Sequence, residues 1–151
     1  MIVISPYSKK TPSGQNCAKD YPFWKELIPM LPGKVVQIGV KGEEPLIDDF
    51  RTYSLPELKE FIKEMNFFIS VDNFFPHFCH HYGRHGIVLF GTSSPKLFGY
   101  PENVNLLKDE KYLRPDQFLW WYDEKQNPEA FVTPDRVADI VKTLHDIIQA
   151  G

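Results

Sequence analysis

The chain has 151 residues, of which 42% are apolar and 25% charged, and its formal net charge at pH 7 is −3. These values are typical of one soluble globular domain that folds without a disulfide or a metal. The mild acidity argues against non-specific binding of nucleic acid. Cys17 and Cys79 form no Cys-x-x-Cys motif, and residues 1–4 are too short for a signal peptide or a membrane span. We therefore expect a cytoplasmic protein.

Short apolar runs and helical patterns alternate along the first part of the chain. Residues 2–4 predict a first buried strand, and a polar loop follows over residues 5–20. A long loop directly after a strand is often functional. The pattern of residues 21–28 predicts a short amphipathic helix that ends at Pro29, and residues 35–39 predict a second strand.

The next segment is acidic and irregular over residues 40–53, after which a helix begins clearly. Ser54 and Glu57 have the spacing of a capping box, which marks a helix N-terminus. Apolar residues at helical spacing define the face that we expect this helix to bury. They are Leu55, Leu58, Phe61 and Ile62.

Two further strands are predicted on either side of a short helix. The strands are residues 67–71 and 86–90, and the helix between them is residues 75–82. Residues 92–99 predict a loop, and residues 104–107 predict one more short strand. The segment that follows, up to Pro128, shows no clear periodicity.

Thr133 and Pro134 mark the start of a long final helix, as its N-cap and its first turn. The alternation of apolar strands with helices predicts a single Rossmann-like α/β domain over residues 1–151, with a mostly parallel sheet covered by helices on both faces. The expected apolar face of the last helix comprises Val137, Ile140, Val141, Leu144, Ile147 and Ile148.

Several candidate ligand-binding residues follow the predicted strands, at the edge where parallel sheets bind ligands. The N–H groups after Asp72 open a helix and attract an anion. Gly91 allows a ligand to approach the backbone closely, and Glu43 or Glu44 accepts hydrogen bonds from ribose hydroxyls. Lysines of the first loop pair with phosphate oxygens. They are Lys9, Lys10 and Lys19.

Each of these signals also has a purely structural interpretation. Asp72 is a typical N-cap residue, and His77 is also a candidate for a histidine packed between helix and sheet. His80, His81 and His85 lack a Cys or carboxylate partner at metal-ligand spacing, so we expect no metal site.

Four motifs over residues 2–107 occur in the order in which family 9 (heptosyltransferase-like) glycosyltransferases carry them. Residues 70–77 (SVDNFFPH) resemble the family's strand ending in Ser-x-Asp, which is followed by His on the next helix. Residues 88–95 (VLFGTSSP) resemble its strand ending in Gly with a Thr/Ser-x-Pro loop. Residues 5–6 with 19–24 (KDYPFW), and Gly39 followed by Glu43, complete the resemblance.

This resemblance implies the nucleotide-sugar-binding half of a GT-B fold, which is the C-terminal domain in these enzymes. It also implies roles for individual residues. Lys19 contacts the diphosphate, Glu43 binds the nucleoside through its ribose, and Asp72 holds the sugar or its phosphate region. In the family the nucleotide is commonly ADP carrying a heptose. We therefore expect an ADP-type nucleotide or a nucleotide sugar as ligand, and no cofactor.

Further ligand contacts come from the same motifs. The resemblance places His77 and the backbone from Asn73 onward at the phosphates, and Thr92 and Ser93 in the same pocket. Phe74 stands where the family usually has a small residue, so we expect its ring to narrow the phosphate site or to stack on the ligand.

The resemblance covers only the donor-binding half, whereas the family's other domain supplies the acceptor and the general base. We therefore expect a stand-alone domain that binds, and senses or sequesters, a nucleotide-derived small molecule without turnover. One alternative is a glycosyltransferase that uses an ADP-sugar donor and is completed by a partner or by a homo-oligomer. Another is an interaction domain that kept only the fold. The aromatic residues of segment 118–122 favour a homodimer interface.

Overall fold

The computed structural model describes residues 1–151 and contains six β-strands. All are parallel and form one sheet, so the prediction of a Rossmann-like α/β fold is confirmed. The strands are β1 (Ile2–Ser5), β2 (Val35–Ile38), β3 (Phe50–Arg51), β4 (Phe67–Val71), β5 (Gly86–Phe90) and β6 (Val104–Leu107).

The order of the strands across the sheet is β3-β2-β1-β4-β5-β6. The direction of travel reverses at β1, so the carboxyl ends of β1 and β4 flank a topological switch point, where open α/β sheets form a crevice. Ser5 is paired with Ser70 in the β1–β4 register. The loop after Ser5 and the segment after β4 therefore start at the same level.

Five α-helices cover the sheet, and each face has its own apolar core. On the first face, α1 and α5 pack over residues such as Ile4, Ile69 and Leu89. On the second face, α2 and α3 pack over Val3, Phe68 and others. The helices are α1 (Trp24–Leu27), α2 (Leu55–Phe61), α3 (Phe74–His81), α4 (Pro95–Phe98) and α5 (Pro134–Ala150).

Two helix predictions need correction at their ends. The first helix is shorter than expected, because only Trp24–Leu27 is α-helical and the chain continues as a 3-10 turn over Ile28–Met30. Pro29 lies within this 3-10 turn and does not stop the chain from coiling, because the first turn of a helical segment needs no N–H group from proline. Thr133 occupies the N-cap position of α5, but its side chain makes no capping hydrogen bond.

Two short elements, β3 and α4, lie in segments for which the sequence predicts no regular structure. Strand β3 pairs with the edge of β2, and the amide of Gln37 donates to Asp49 O at 2.9 Å. Helix α4 begins at Pro95. Elements of two and four residues are too short to show a hydrophobic period.

The capping box at Ser54 and Glu57 is present, since each side chain accepts from the other residue's backbone N–H. Leu58, Phe61 and Ile62 are buried as predicted, but Leu55 is exposed because the first turn of α2 borders an open cavity. In α5, Ile147 is exposed as well. None of the helices has the length and apolar content required to cross a bilayer.

Candidate functional site

A cavity of about 830 Å³ opens at the carboxyl ends of the central strands. This volume is within the range of small-molecule sites, roughly 300–1,000 Å³. Residues that follow β1, β2, β4 and β5 line it, as the strand-end rule predicts. The predicted ligand residues that it brings together are Lys19, Glu43, Asp72, Asn73, Phe74, His77 and Ser93.

Gly91 and Thr92 do not line this cavity. A Cβ atom at Gly91 would lie 2.5 Å from the ring of Phe131, which is fully buried. The glycine is therefore required by core packing, and this replaces the expected approach of a ligand. Thr92 acts through its carbonyl oxygen, which accepts from Arg114 N at 2.9 Å and from Gln117 Nε2 at 3.0 Å.

Four lysines line the cavity, and we call them the lysine set: Lys9, Lys10, Lys19 and Lys41. Three come from the loop after β1 and one from the turn after β2. Only two carboxylates, Glu43 and Asp72, line it with them. The cavity therefore carries a positive balance in a chain whose net charge is −3, and it favours an anionic ligand.

Lys19 and Asp72 form an ion pair inside the cavity. Lys19 Nζ lies 3.8 Å from Asp72 Oδ2, and the two side chains are only 18% and 12% exposed. The ammonium group also lies 5.7 Å from the ring centre of Trp121. At 3.8 Å the pair makes no close hydrogen bond, so both groups retain capacity for a ligand.

Asn73, not Asp72, is the N-cap of α3. Its Oδ1 accepts from Phe75 N at 2.9 Å, while its Nδ2 donates to Ser5 Oγ and to Tyr7 O, both at 2.9 Å. The side chain therefore ties the ends of β1 and β4 together across the switch point. Because it does so within the protein, Asn73 positions its neighbours rather than offering its amide to a ligand.

The start of α3 is a weaker anion site than the sequence indicates. Among its first three residues, Phe75 N is bound by the Asn73 side chain and Pro76 has no N–H. This leaves the amide of Phe74. Most of the positive potential in the cavity therefore comes from the lysine set rather than from the helix terminus.

Glu43 lies in the turn after β2, where its Oε1 accepts from Val40 N at 2.7 Å. A Cβ atom at Gly39 would collide with this carboxylate, so the glycine makes room for it. Burial raises the pKa of the Glu43 carboxyl, while the hydrogen bond from Val40 N and the nearby charge of Lys10 oppose that shift. One oxygen of the carboxylate is committed to the turn, and the other is available to a ligand hydroxyl.

Apolar side chains of three helices also line the cavity, and we call them the apolar set: Leu55, Leu58, Phe74 and Phe98. Phe74 is 53% exposed and is braced edge-on by Phe78, with ring centres 6.2 Å apart. Leu58 is buried. Of these four residues, only Phe74 is predicted at the site from the sequence.

Segment 114–121, which showed no sequence pattern, supplies two more lining residues, Gln117 and Trp121. Gln117 Oε1 accepts from Ser94 N at 2.7 Å, and the Arg114 guanidinium lies 3.7 Å from the ring centre of Trp121. Trp121 thus belongs to the cavity, whereas Phe118 and Trp120 of the same segment are exposed. Side-chain bonds to distant backbone fix this segment, and they leave no local signal in the sequence.

Ser93 places a buried hydroxyl group at the site. The residue is 3% exposed, and its hydroxyl has no hydrogen-bond partner in the protein. A buried hydroxyl without a partner costs about 1–3 kcal/mol. Ser93 lines the cavity, so its unpartnered hydroxyl lies close to the space that a ligand would fill.

The loop that carries three of the four lysines is held by a buried carboxylate. Asp20 Oδ1 accepts from both Ser8 N, at 2.9 Å, and Ser8 Oγ, at 2.6 Å, whereas Oδ2 has no partner. Burial raises the pKa of Asp20 to about 6, although its bonds from Ser8 oppose the shift. Burial also raises the pKa of Tyr7, a lining residue, to about 12.

His77 is exposed at the cavity, so it is not packed between helix and sheet. No group of three or more His, Cys, Asp and Glu side chains is arranged to hold a metal ion.

Comparisons with protein-family models, with curated proteins and with solved structures find no match to the chain.

Proposed function

We propose that this domain binds a nucleotide-derived small molecule, a nucleoside diphosphate or a nucleotide sugar, in the cavity at the switch point of its sheet. The observation that carries the proposal is the composition of this one cavity. It combines four lysines with aromatic and aliphatic side chains within about 830 Å³. A ligand that is anionic at one end and aromatic at the other fits both features.

The lysine set supports binding of the diphosphate. Ammonium groups form charge-assisted hydrogen bonds with phosphate oxygens, and these are roughly twice as strong as neutral ones. Lys19 is only partly exposed, so its attraction for an anion is less screened than that of a surface lysine. The amide of Phe74 adds one donor at the start of α3.

The remaining polar groups support binding of a nucleoside and a sugar. The free oxygen of Glu43 is an acceptor for ribose hydroxyls, and the Ser93 hydroxyl has no hydrogen-bond partner within the protein. Trp121 and Phe74 offer ring surface on which a base or a sugar can stack. These roles agree with those that the resemblance to family 9 glycosyltransferases implies for Lys19, Glu43 and Ser93.

Binding of such a ligand is tested by isothermal titration calorimetry. The panel is ADP, ADP-ribose, an ADP-hexose, UDP-glucose and adenosine. We expect ADP and its derivatives to bind and adenosine to bind at least tenfold more weakly, because adenosine gives the lysine set no charge to pair with.

Lys19→Met keeps the aliphatic stem and removes the charge, whereas Lys25→Met removes an exposed charge away from the cavity. The proposal requires the first variant to weaken ADP binding and the second to leave it unchanged. If no nucleotide binds at millimolar concentration, the proposal is wrong. Slow release of free sugar from the ADP-hexose would instead support the glycosyltransferase alternative.

A further inference from the structure

A polar cluster stands beside the cavity and comprises His77, Tyr100, His80 and Glu102. His77 Nδ1 lies 2.6 Å from the hydroxyl of Tyr100, and the two rings meet edge to face with centres 5.3 Å apart. Of the four residues, only His77 lines the cavity. The ring edge that carries Nδ1 is therefore turned toward Tyr100, and Nε2 is the nitrogen left for a ligand.

Tyr100 is itself held in place from two sides. The ring of His80 stacks on its ring, with centres 3.8 Å apart and an angle of 11° between the planes. His80 Nδ1 pairs in turn with the carboxylate of Glu102. The Tyr100 carbonyl accepts from Asn105 Nδ2 at 2.8 Å. The phenol is thus fixed relative to α3, which carries both histidines on one face, three residues apart.

We infer that Tyr100 is a positioning residue, which donates its hydroxyl proton to Nδ1 of His77 and so keeps the proton of that ring on Nε2. A phenol is a stronger acid than a neutral imidazole N–H, so the phenol is the donor in this pair. The bond made by one ring nitrogen sets which form the other adopts. Nε2–H is then a neutral donor at the cavity.

The Nε2–H donor of His77 compensates for the shortage of free backbone N–H groups at the start of α3. Phe75 N is bound by Asn73 and Pro76 has no N–H, so the first turn offers a single amide to an anion. His77, one turn into the helix, adds a side-chain donor at the same end. The inference rests on the proposed function in one respect, because it takes the ligand's phosphate oxygen as the acceptor for Nε2–H.

The first test reads the ring of His77 directly, without any ligand. Long-range ¹H–¹⁵N spectra of the histidine side chains at pH 8 distinguish a protonated Nε2 from a protonated Nδ1, and His77→Ala assigns the signals. We expect the Nε2–H form in the wild type and a mixture of both forms in Tyr100→Phe. Tyr112→Phe is the matched control, because its hydroxyl makes no hydrogen bond and it does not line the cavity.

The second test measures ADP affinity in a double-mutant cycle. Tyr100→Phe is expected to weaken ADP binding about twofold, because about half of the His77 rings then lack Nε2–H, and His77→Ala about tenfold, in line with the loss of one hydrogen bond. The double variant is expected to match His77→Ala alone, because Tyr100 acts only through His77. Additive losses would instead indicate a general structural effect of Tyr100.

The two tests separate this inference from the proposed function. If the wild type binds no ADP, the proposed function is wrong, and so is the part of the inference that concerns phosphate. If ADP binds but the His77 signals are the same in Tyr100→Phe as in the wild type, the inference alone is overturned. Retention of full affinity in Tyr100→Phe contradicts it as well.

Discussion

The lysine set and the apolar set line the same cavity but belong to different kinds of structure, since the lysines lie in loops and the apolar side chains lie on helices. Three of the lysines lie on the loop that leads from β1 to α1, and α1 packs on the first face. The apolar set lies on α2, α3 and α4, whose side chains contact the core of the second face. The sheet edge thus joins a charged, loop-borne surface to a rigid, helix-borne one.

This difference indicates how the two surfaces divide the task of binding. Leu58 is part of the second core and Phe98 packs against that core, so these two members of the apolar set are held in place before any ligand arrives. Lysine side chains have about 2 kcal/mol of rotamer entropy to lose, and they are ordered by what they bind. We expect the apolar set to determine the shape of the ligand and the lysine set to supply most of the affinity.

The largest expected effect concerns the lysine set. Lys19→Met should weaken ADP binding by about 3 kcal/mol, roughly a hundredfold, because a partly buried charge-assisted bond to phosphate is lost. Calorimetry measures this change, and urea unfolding checks that the variant folds. A loss of ADP affinity smaller than threefold would contradict this division of roles, because most of the affinity would then come from the apolar set.

Gly91→Ala should affect stability more than binding. The added Cβ would meet the ring of Phe131 at 2.5 Å, and this ring is fully buried in the core. We expect a loss of about 2–3 kcal/mol in the free energy of unfolding, as is usual for overpacking. The double variant with Phe131→Leu should recover part of that loss. If Gly91→Ala leaves stability unchanged but abolishes ADP binding, Gly91 is part of the binding site after all.

The pH dependence of the free energy of unfolding tests the role of Asp20, which holds the loop after β1 that carries three of the lysines. The pKa of Asp20 is raised by burial to about 6 in the folded protein, from an ordinary value of 3.8. The folded state therefore binds the proton more tightly than the unfolded state. Stability attributable to Asp20 should be greatest below pH 4 and fall by about 2 kcal/mol as the pH rises toward 6.

Asp20→Asn isolates this contribution, since asparagine keeps an acceptor for Ser8 but has no charge to bury. Urea unfolding at pH 4, 5, 6 and 7 should show that the variant gains stability over the wild type as the pH rises through this window. A difference between the two proteins that stays constant with pH would show that Asp20 titrates normally and that its burial carries no penalty.

The smallest expected effect concerns the apolar set. Phe74→Ala should weaken ADP binding by about 1 kcal/mol, roughly fivefold, through loss of ring contact with the ligand. Leu97→Ala is the matched control, because Leu97 is equally exposed but does not line the cavity. Tighter binding in Phe74→Ala would show that the ring narrows the site instead of stacking on the ligand.

The sequence predicted the fold well because its strands are short, apolar and separated by clear helix signals. The rule that ligands bind beyond strand ends predicted Lys19, Glu43 and Asp72 at one site, and the structure brings all three to one cavity. Sequence reasoning could not separate Asp72 from Asn73 as the cap of α3, because both residue types favour that position. In the structure, the hydrogen bond from Asn73 Nδ2 to Tyr7 O, across the switch point, selects Asn73 as the cap.

The residues that were missed depend on contacts far apart in the sequence. Trp121 reaches the cavity because Gln117 and Arg114 bind backbone groups near the end of β5. Such bonds leave no periodic pattern, so segment 108–128 gave no prediction. Gly91 was misassigned for a related reason, since its packing partner Phe131 is 40 positions later in the chain.

The central claim is that a nucleoside diphosphate binds between the lysine set and the apolar set. Titration of ¹⁵N-labelled protein with ADP, followed in ¹H–¹⁵N correlation spectra, tests it most directly. We predict saturable shifts of the amide signals of Lys19, Phe74 and Ser93, and none in the exposed end of α5. The absence of shifts at these three residues, or shifts confined to the exposed segment 118–122, would contradict the account.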